Sequence, residues 1–254
     1  MLHIVADDLG LHPSVNKGII AGLRGGFITE ASLMANGEAF LDAIREMDET
    51  SMNIGIHLVL VEEPWLTTGR RIAKNYKFFL ARYCLGQVGS EDIEREFEAQ
   101  IRKMENASIK PAFINGHQHL HLFPGLIDVV VRVAVRHGIE RIRIVHEPQT
   151  RGGWLRRTQL IILEILSRFA KRKIEGAGLR YNEAFIGFLS AGHLHKEDIS
   201  VARKLAQINP DAIIELGCHP GYESESLRTK YGHWGYHWEA ELNLLKDDHM
   251  RSMA

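Results

Sequence analysis

The chain has 254 residues, 45% of them hydrophobic and 25% charged, and a formal net charge of −1. Such proportions belong to soluble globular proteins and exclude collagen-like, coiled-coil and disordered architectures, while near-neutrality leaves no footprint of a nucleic-acid binder. Two cysteines, Cys84 and Cys218, far apart and in no CxxC pattern, exclude a disulfide framework and a cysteine zinc knot, whereas 14 histidines are an unusual number.

Taken in chain order, LHIVA (2–6) predicts a buried strand that ends on charged residues. Residues 13–24 predict a helix with Pro13 early and Gly25-Gly26 as its stop. ASLMANG (31–37) and NIGIHLVL (53–60) predict strands, with a helical stretch near 38–48 between them. Ser90 is expected to cap a helix whose Ile93, Phe97, Ile101 and Met104 share one face. Pro111 then resets the chain into AFINGH (112–117). A helix over 124–137 closes on Gly138, RIRIV (141–145) reads as a strand, and 196–208 as a helix ended by Asn209-Pro210. AIIELGCHP (212–220) is the last clear strand. This alternation implies a mostly parallel α/β sheet with crossover helices, one barrel-like domain over 1–254 rather than two. Segments 61–89 and 146–185 are longer than ordinary α/β connections and suit specificity loops.

Polar groups recur where the apolar strands end. Asp7-Asp8 follow the first strand, His57 lies in the third, Asn115, His117, His119 and His121 follow the AFINGH run, and His219-Pro220 ends the last. Sites form at the carboxyl ends of parallel strands. Asp, His, His and His delivered to one rim compose a metal site. An isolated Asp-Asp is also a common helix cap, and a lone buried His is also an ordinary hydrogen-bonded core residue. The HxHxH run weighs more. In a strand His117, His119 and His121 share a face; in a helix His117 and His121 do. Two histidines and one carboxylate leave a coordination position open for water. A second carboxylate can take a proton from that water, and a histidine opposite can protonate a leaving amine. Metal-assisted amide hydrolysis follows from these residue types.

ADDLGLHPSVNKGI, NIGIHLVL, INGHQHLHLFPGL and GCHPGY resemble, in order, the motifs of the YdjC-like carbohydrate deacetylases, and the resemblance spans about residues 2–245. It implies a distorted (β/α) barrel akin to polysaccharide deacetylases, one divalent metal ion (Mg2+ or Zn2+), and removal of acetyl from an N-acetylated sugar, free or lipid-linked. By the same resemblance Asp7 is the catalytic base and His219 the proton donor. Asp8, His57 and His117 are the metal ligands, and Asn115, His119 and His121 are expected near the substrate. Asn115-Gly116 stand where chitooligosaccharide members typically carry Asp-Ser. That variant, together with GIHLVLVEEP and the FF…EFEAQI stretch, resembles the hopanoid-associated branch, whereas CHPGY and the Trp/Glu-Leu region after it resemble the oligosaccharide branch.

Two other functions are weighed against this one. A phosphoesterase on the same scaffold would need a basic or Gly-rich helix N-terminus at the site, and none accompanies the four motifs. A metal sensor would need no second aspartate. No signal-peptide core follows Met1, and no apolar run approaches the roughly 20 residues that span a bilayer, so a cytoplasmic protein is expected. A homo-oligomer is compatible with the sequence. Between Arg151 and Lys173 lie seven basic residues and one acid, Glu164, around LIILEIL, with Trp154 and Phe169 flanking it. A basic helix with an apolar face suits a peripheral contact with an anionic membrane. The same pattern also suits a crossover helix with a solvated basic rim.

Overall fold

Strand β1 (Leu2–Leu9) runs through the centre of the sheet, and the computed structural model, which describes residues 1–47, 52–148 and 152–253, builds outward from it. In chain order follow α1 (Pro13–Arg24), β2 (Glu30–Leu33), α2 (Phe40–Glu46), β3 (Asn53–Leu58), α3 (Tyr76–Cys84) and α4 (Ser90–Asn106). Then come β4 (Ile114–Gly116), a 3₁₀ segment (His117–Leu122), α5 (Leu126–His137), α6 (Trp154–Gly176), β5 (Ala184–Ile186) and α7 (Lys196–Ile208). Strand β6 (Ile214–Cys218), α8 (Glu225–Tyr231), a short 3₁₀ turn (Gly232–Trp234) and α9 (Trp238–Met253) complete the order. All strand pairs are parallel, in the order β4-β3-β2-β1-β6-β5. The sheet curls into a half-barrel with the crossover helices outside, the architecture expected of a distorted (β/α) barrel.

RIRIV does not form the predicted strand. Residues 141–146 span the seam between β4 and β5 with single bridges only, Ile114 to Ile142 and Arg141 to Arg180. Side chains replace the ladder there. The Asn182 amide accepts from the Ile144 N–H at 2.8 Å and donates to its carbonyl at 2.9 Å, and Ser167 Oγ accepts the Val145 N–H at 2.9 Å. The long segment that follows carries α6, the basic helix expected between Arg151 and Lys173, and β5, which the sequence pattern left unassigned.

Local signals explain most boundaries. α1 stops at Gly25, and Gly138 closes α5 with φ 63°, a left-handed cap that favours glycine. Ile93, Phe97, Ile101 and Met104 of α4 are all buried, as their spacing predicts. The cap itself is Gly89 rather than Ser90, because Asp92 reaches back to accept the Gly89 N–H at 3.2 Å. The helix predicted near 38–48 is observed as Phe40–Glu46, and residue 48 lies outside the described residues. Gly18 of α1 has a tertiary reason: a Cβ there would lie 2.5 Å from the Gly221 Cα, so glycine lets the helix rest on the loop that follows His219.

Candidate active site

The carboxyl ends of β1, β3, β4 and β6 meet at one rim. Regular alternation would send Asp7 and Asp8 to opposite faces of the sheet. Asp8 instead has φ 67°, and the β1–β2 register slips between Ala6 and Leu9. This left-handed residue is costly for a non-glycine. It leaves both carboxylates buried, and the charges of His57 and His219 act on both.

Asp8, His57 and His117 form a triad suited to a metal ion. Asp8 Oδ1 lies 3.4 Å from His57 Nε2 and 3.4 Å from His117 Nδ1, and the two ring nitrogens are 3.3 Å apart. Four-coordinate bonds of about 2.1 Å place neighbouring donors roughly 3.4 Å apart, so the three donors are spaced for one ion. Asp8 Oδ1 is buried and has no hydrogen-bond partner among the described residues, which an ion would supply. Outer partners fix both rings. His57 donates from Nδ1 to Asn115 Oδ1 at 2.7 Å and so keeps the Nε2 lone pair free. His117 donates from Nε2 to Glu62 Oε2 at 2.8 Å and turns Nδ1 to the triad. Burial works against a charged His117, but the adjacent Asp8 carboxylate and the hydrogen bond to Glu62 outweigh it and push its pKa up to about 10.

Asp7 sits beside the triad in a different network. Its Oδ1 accepts from Ser32 Oγ at 2.7 Å, Asn115 Nδ2 at 2.9 Å and Arg143 at 3.0 Å, and its Oδ2 accepts from Arg143 at 2.5 Å. Burial would raise the Asp7 pKa, but the Arg143 guanidinium and the nearby histidines hold it well below the usual carboxylate range. Arg143 is itself buried, bridges to Glu215 and lies over the Phe185 ring at 4.8 Å. Asn115 is fully buried between Asp7 and His57, with its amide oxygen and nitrogen committed to them.

His219 follows β6 on the opposite side. Its backbone N–H donates to the buried Glu241 at 2.6 Å, its ring lies 4.7 Å from Tyr236, and its Nδ1 has no partner among the described residues. An aromatic wall extends from there. The Tyr236 ring lies 5.5 Å from that of Trp234, and Trp234 lies 5.3 Å from His117. Trp234 Nε1 donates to Glu62 Oε1 at 3.2 Å, so one carboxylate braces both a triad histidine and the wall.

The three histidines of HxHxH do not share a face. Gln118 and His119 are left-handed, with φ 52° and 54°, and the 3₁₀ segment disperses the rings. His117 joins the triad. His119 is half-buried against Phe185 and Phe188, with its pKa pushed well down by burial. His121 donates from Nε2 to the Arg143 carbonyl at 2.9 Å, and burial lowers its pKa to about 3. Arg143, Glu62, Ser32 and Trp234 were not singled out from the sequence. Only the charged positions inside RIRIV and the aromatic run from Tyr231 to Trp238 hinted at them.

The sequence profile of the YdjC-like protein family matches residues 1–254. A mouse protein named carbohydrate deacetylase is 30% identical over 88% of this chain and 78% of its own length. A Brevibacillus brevis protein of the same name is 28% identical over 90% of this chain and 84% of its own. A solved structure from Enterococcus faecalis, titled for cellobiose-phosphate cleavage, superimposes with a TM-score of 0.73 over 96% of this chain and 89% of its own, at 19% identity, and so supports the fold. With its four strand-end motifs gathered at one rim and the family profile matched from end to end, the chain belongs to the YdjC-like family.

Proposed function

We propose that this protein is a metal-dependent N-deacetylase of an N-acetylated sugar, releasing acetate. The observation that carries the proposal is the pairing of a three-donor triad with a second, separately held carboxylate and an opposed histidine. The similarity to proteins named carbohydrate deacetylase supports the substrate class. Asp8, His57 and His117 would hold one divalent ion, zinc or magnesium, with two imidazoles favouring zinc. When bound, such an ion supplies Lewis-acid activation of water and of the acetamide carbonyl.

The chain's own groups do the rest. Arg143 keeps Asp7 ionised, in its proton-accepting form, and Oδ2 carries one hydrogen bond against three on Oδ1. The proton from the attacking water is therefore taken at Oδ2. His219 delivers a proton to the sugar nitrogen as the C–N bond breaks. Asn115 keeps the His57 tautomer and the Asp7 carboxylate in register. Trp234 and Tyr236 offer ring faces to the sugar, and His119 lines the side walled by Phe185 and Phe188. Acetate release from N-acetylated oligosaccharides, measured before and after chelation and after divalent-ion return, tests this function. Release that is unaffected by chelation, or absent with every ion, overturns it.

A further inference from the structure

Helix α6 has two apolar faces. Leu160, Ala170 and Ile174 point inward and are buried. Trp154, Ile161, Ile162, Ile165 and Phe169 point outward and are exposed, at 80%, 58%, 53%, 59% and 43%. At 100° per residue they occupy one side of a helix of 23 residues, about 34 Å long. A solvated crossover helix has no physical reason to carry that second face. Large exposed apolar patches mark interaction surfaces.

Charge selects the occupant. Arg157, Arg168 and Arg172 are exposed on and beside the outward face. The helix's two acids lie along the same edge as Arg157 but are engaged: half-buried Glu164 faces His146 at 3.2 Å, and Glu175 accepts from Tyr181 at 2.7 Å. A second copy packed face to face would set these arginines against their own copies, which repel. A negatively charged surface with apolar depth satisfies both features. No described helix is long and apolar enough to cross a membrane, so α6 would lie in the plane of the bilayer surface.

We propose that the outward face of α6 is a docking surface for an anionic lipid bilayer. The aromatic and aliphatic side chains enter the headgroup boundary, and the arginines meet lipid phosphates. The first turn of the helix leads to the rim of the active site. Arg156 lies over the Phe188 ring at 5.3 Å, and Phe188 lies 5.6 Å from His119. Docking therefore brings the mouth of the site beside the membrane.

Sedimentation of the full chain with phosphatidylglycerol–phosphatidylcholine vesicles, and with phosphatidylcholine alone, tests the surface at low and high salt. Binding is expected to require the anionic lipid and to weaken with salt. Replacing Arg157, Arg168 and Arg172 together by Gln should weaken it on the order of a hundredfold, at roughly fivefold per charge. Ile161→Gln with Ile165→Gln should weaken it at least about tenfold, through lost apolar burial. Both variants should keep the native circular dichroism, and the sedimentation readout does not depend on the deacetylase assignment. Absence of wild-type binding, equal binding to neutral vesicles, or full binding by either variant overturns the proposal. So does a lipid-free dimer that the two isoleucine substitutions abolish, since the face would then belong to a second copy.

Discussion

Arg143 donates to both carboxylate oxygens of Asp7, at 2.5 and 3.0 Å, across 136 positions of sequence. The same guanidinium reaches Glu215 through Nε, so one buried cation bridges two buried carboxylates. Arg143→Met leaves Glu215 without its partner and Asp7 with only the neutral donors Ser32 and Asn115. Breaking a buried pair in this way costs about 3–5 kcal/mol, which should lower Tm on the order of 10 °C. Arg143→Lys keeps the charge and loses the fork; it should recover much of the stability and little of the activity. Calorimetry of both variants checks this, and wild-type stability in Arg143→Met would refute the pairing.

Asp7→Asn tests the proposed proton-accepting role. The amide keeps most of the hydrogen-bond geometry but accepts no proton. Turnover should fall roughly 10²–10⁴-fold, the usual worth of a general base, with metal content unchanged by elemental analysis. Undiminished turnover would remove Asp7 from the chemistry, and lost metal would move it into the ligand set.

His57→Ala and His117→Ala should each lower divalent-ion occupancy, because each removes one of three donors. Glu62→Gln is the finer probe. It removes the charge that orients His117 without touching the triad, and outer-shell changes of this kind weaken metal binding about 10–100-fold. Competition with a chromophoric chelator measures the shift, and unchanged affinity in Glu62→Gln would deny Glu62 that part.

Glu147 gives a pH dependence that does not involve the metal. It accepts the backbone N–H groups of Gly187, Phe188 and Leu189 at 3.3, 2.9 and 3.0 Å, and so anchors the loop beside His119. Burial outweighs those donors and raises its pKa to about 7 from an ordinary 4.5. Between these values the folded protein holds a proton that the unfolded chain has released. Stability from this group therefore falls as pH rises through that window and levels off above it, by about 3 kcal/mol in all. Glu147→Gln removes the titration. Denaturant melts at pH 5 and pH 8 should show the wild type losing ground to the variant by most of that amount, about 2.5 kcal/mol; parallel behaviour would contradict the shift.

Residue types and spacing made much of this protein legible. Strand-end acids and histidines at Asp7, Asp8, His57, His117 and His219 marked the rim, because parallel strands deliver their carboxyl ends to one side whatever the details of packing. Apolar periodicity placed α4 and α5, and glycine stops ended α1 and α5, since those signals are local. What depended on long-range contact was not legible. The left-handed conformation of Asp8, which puts adjacent carboxylates into one pocket, is held by the slipped register with β2. The scattering of His117, His119 and His121 follows from a 3₁₀ turn that no period in HQHLHL announces. RIRIV has a strand's composition, yet Asn182 and Ser167 take its backbone groups from far along the chain. The place of Asn115 between His57 and Asp7 exists only because β1 and β4 curl round to face each other, and an amide's two-sided hydrogen bonding becomes informative only when both partners are in position.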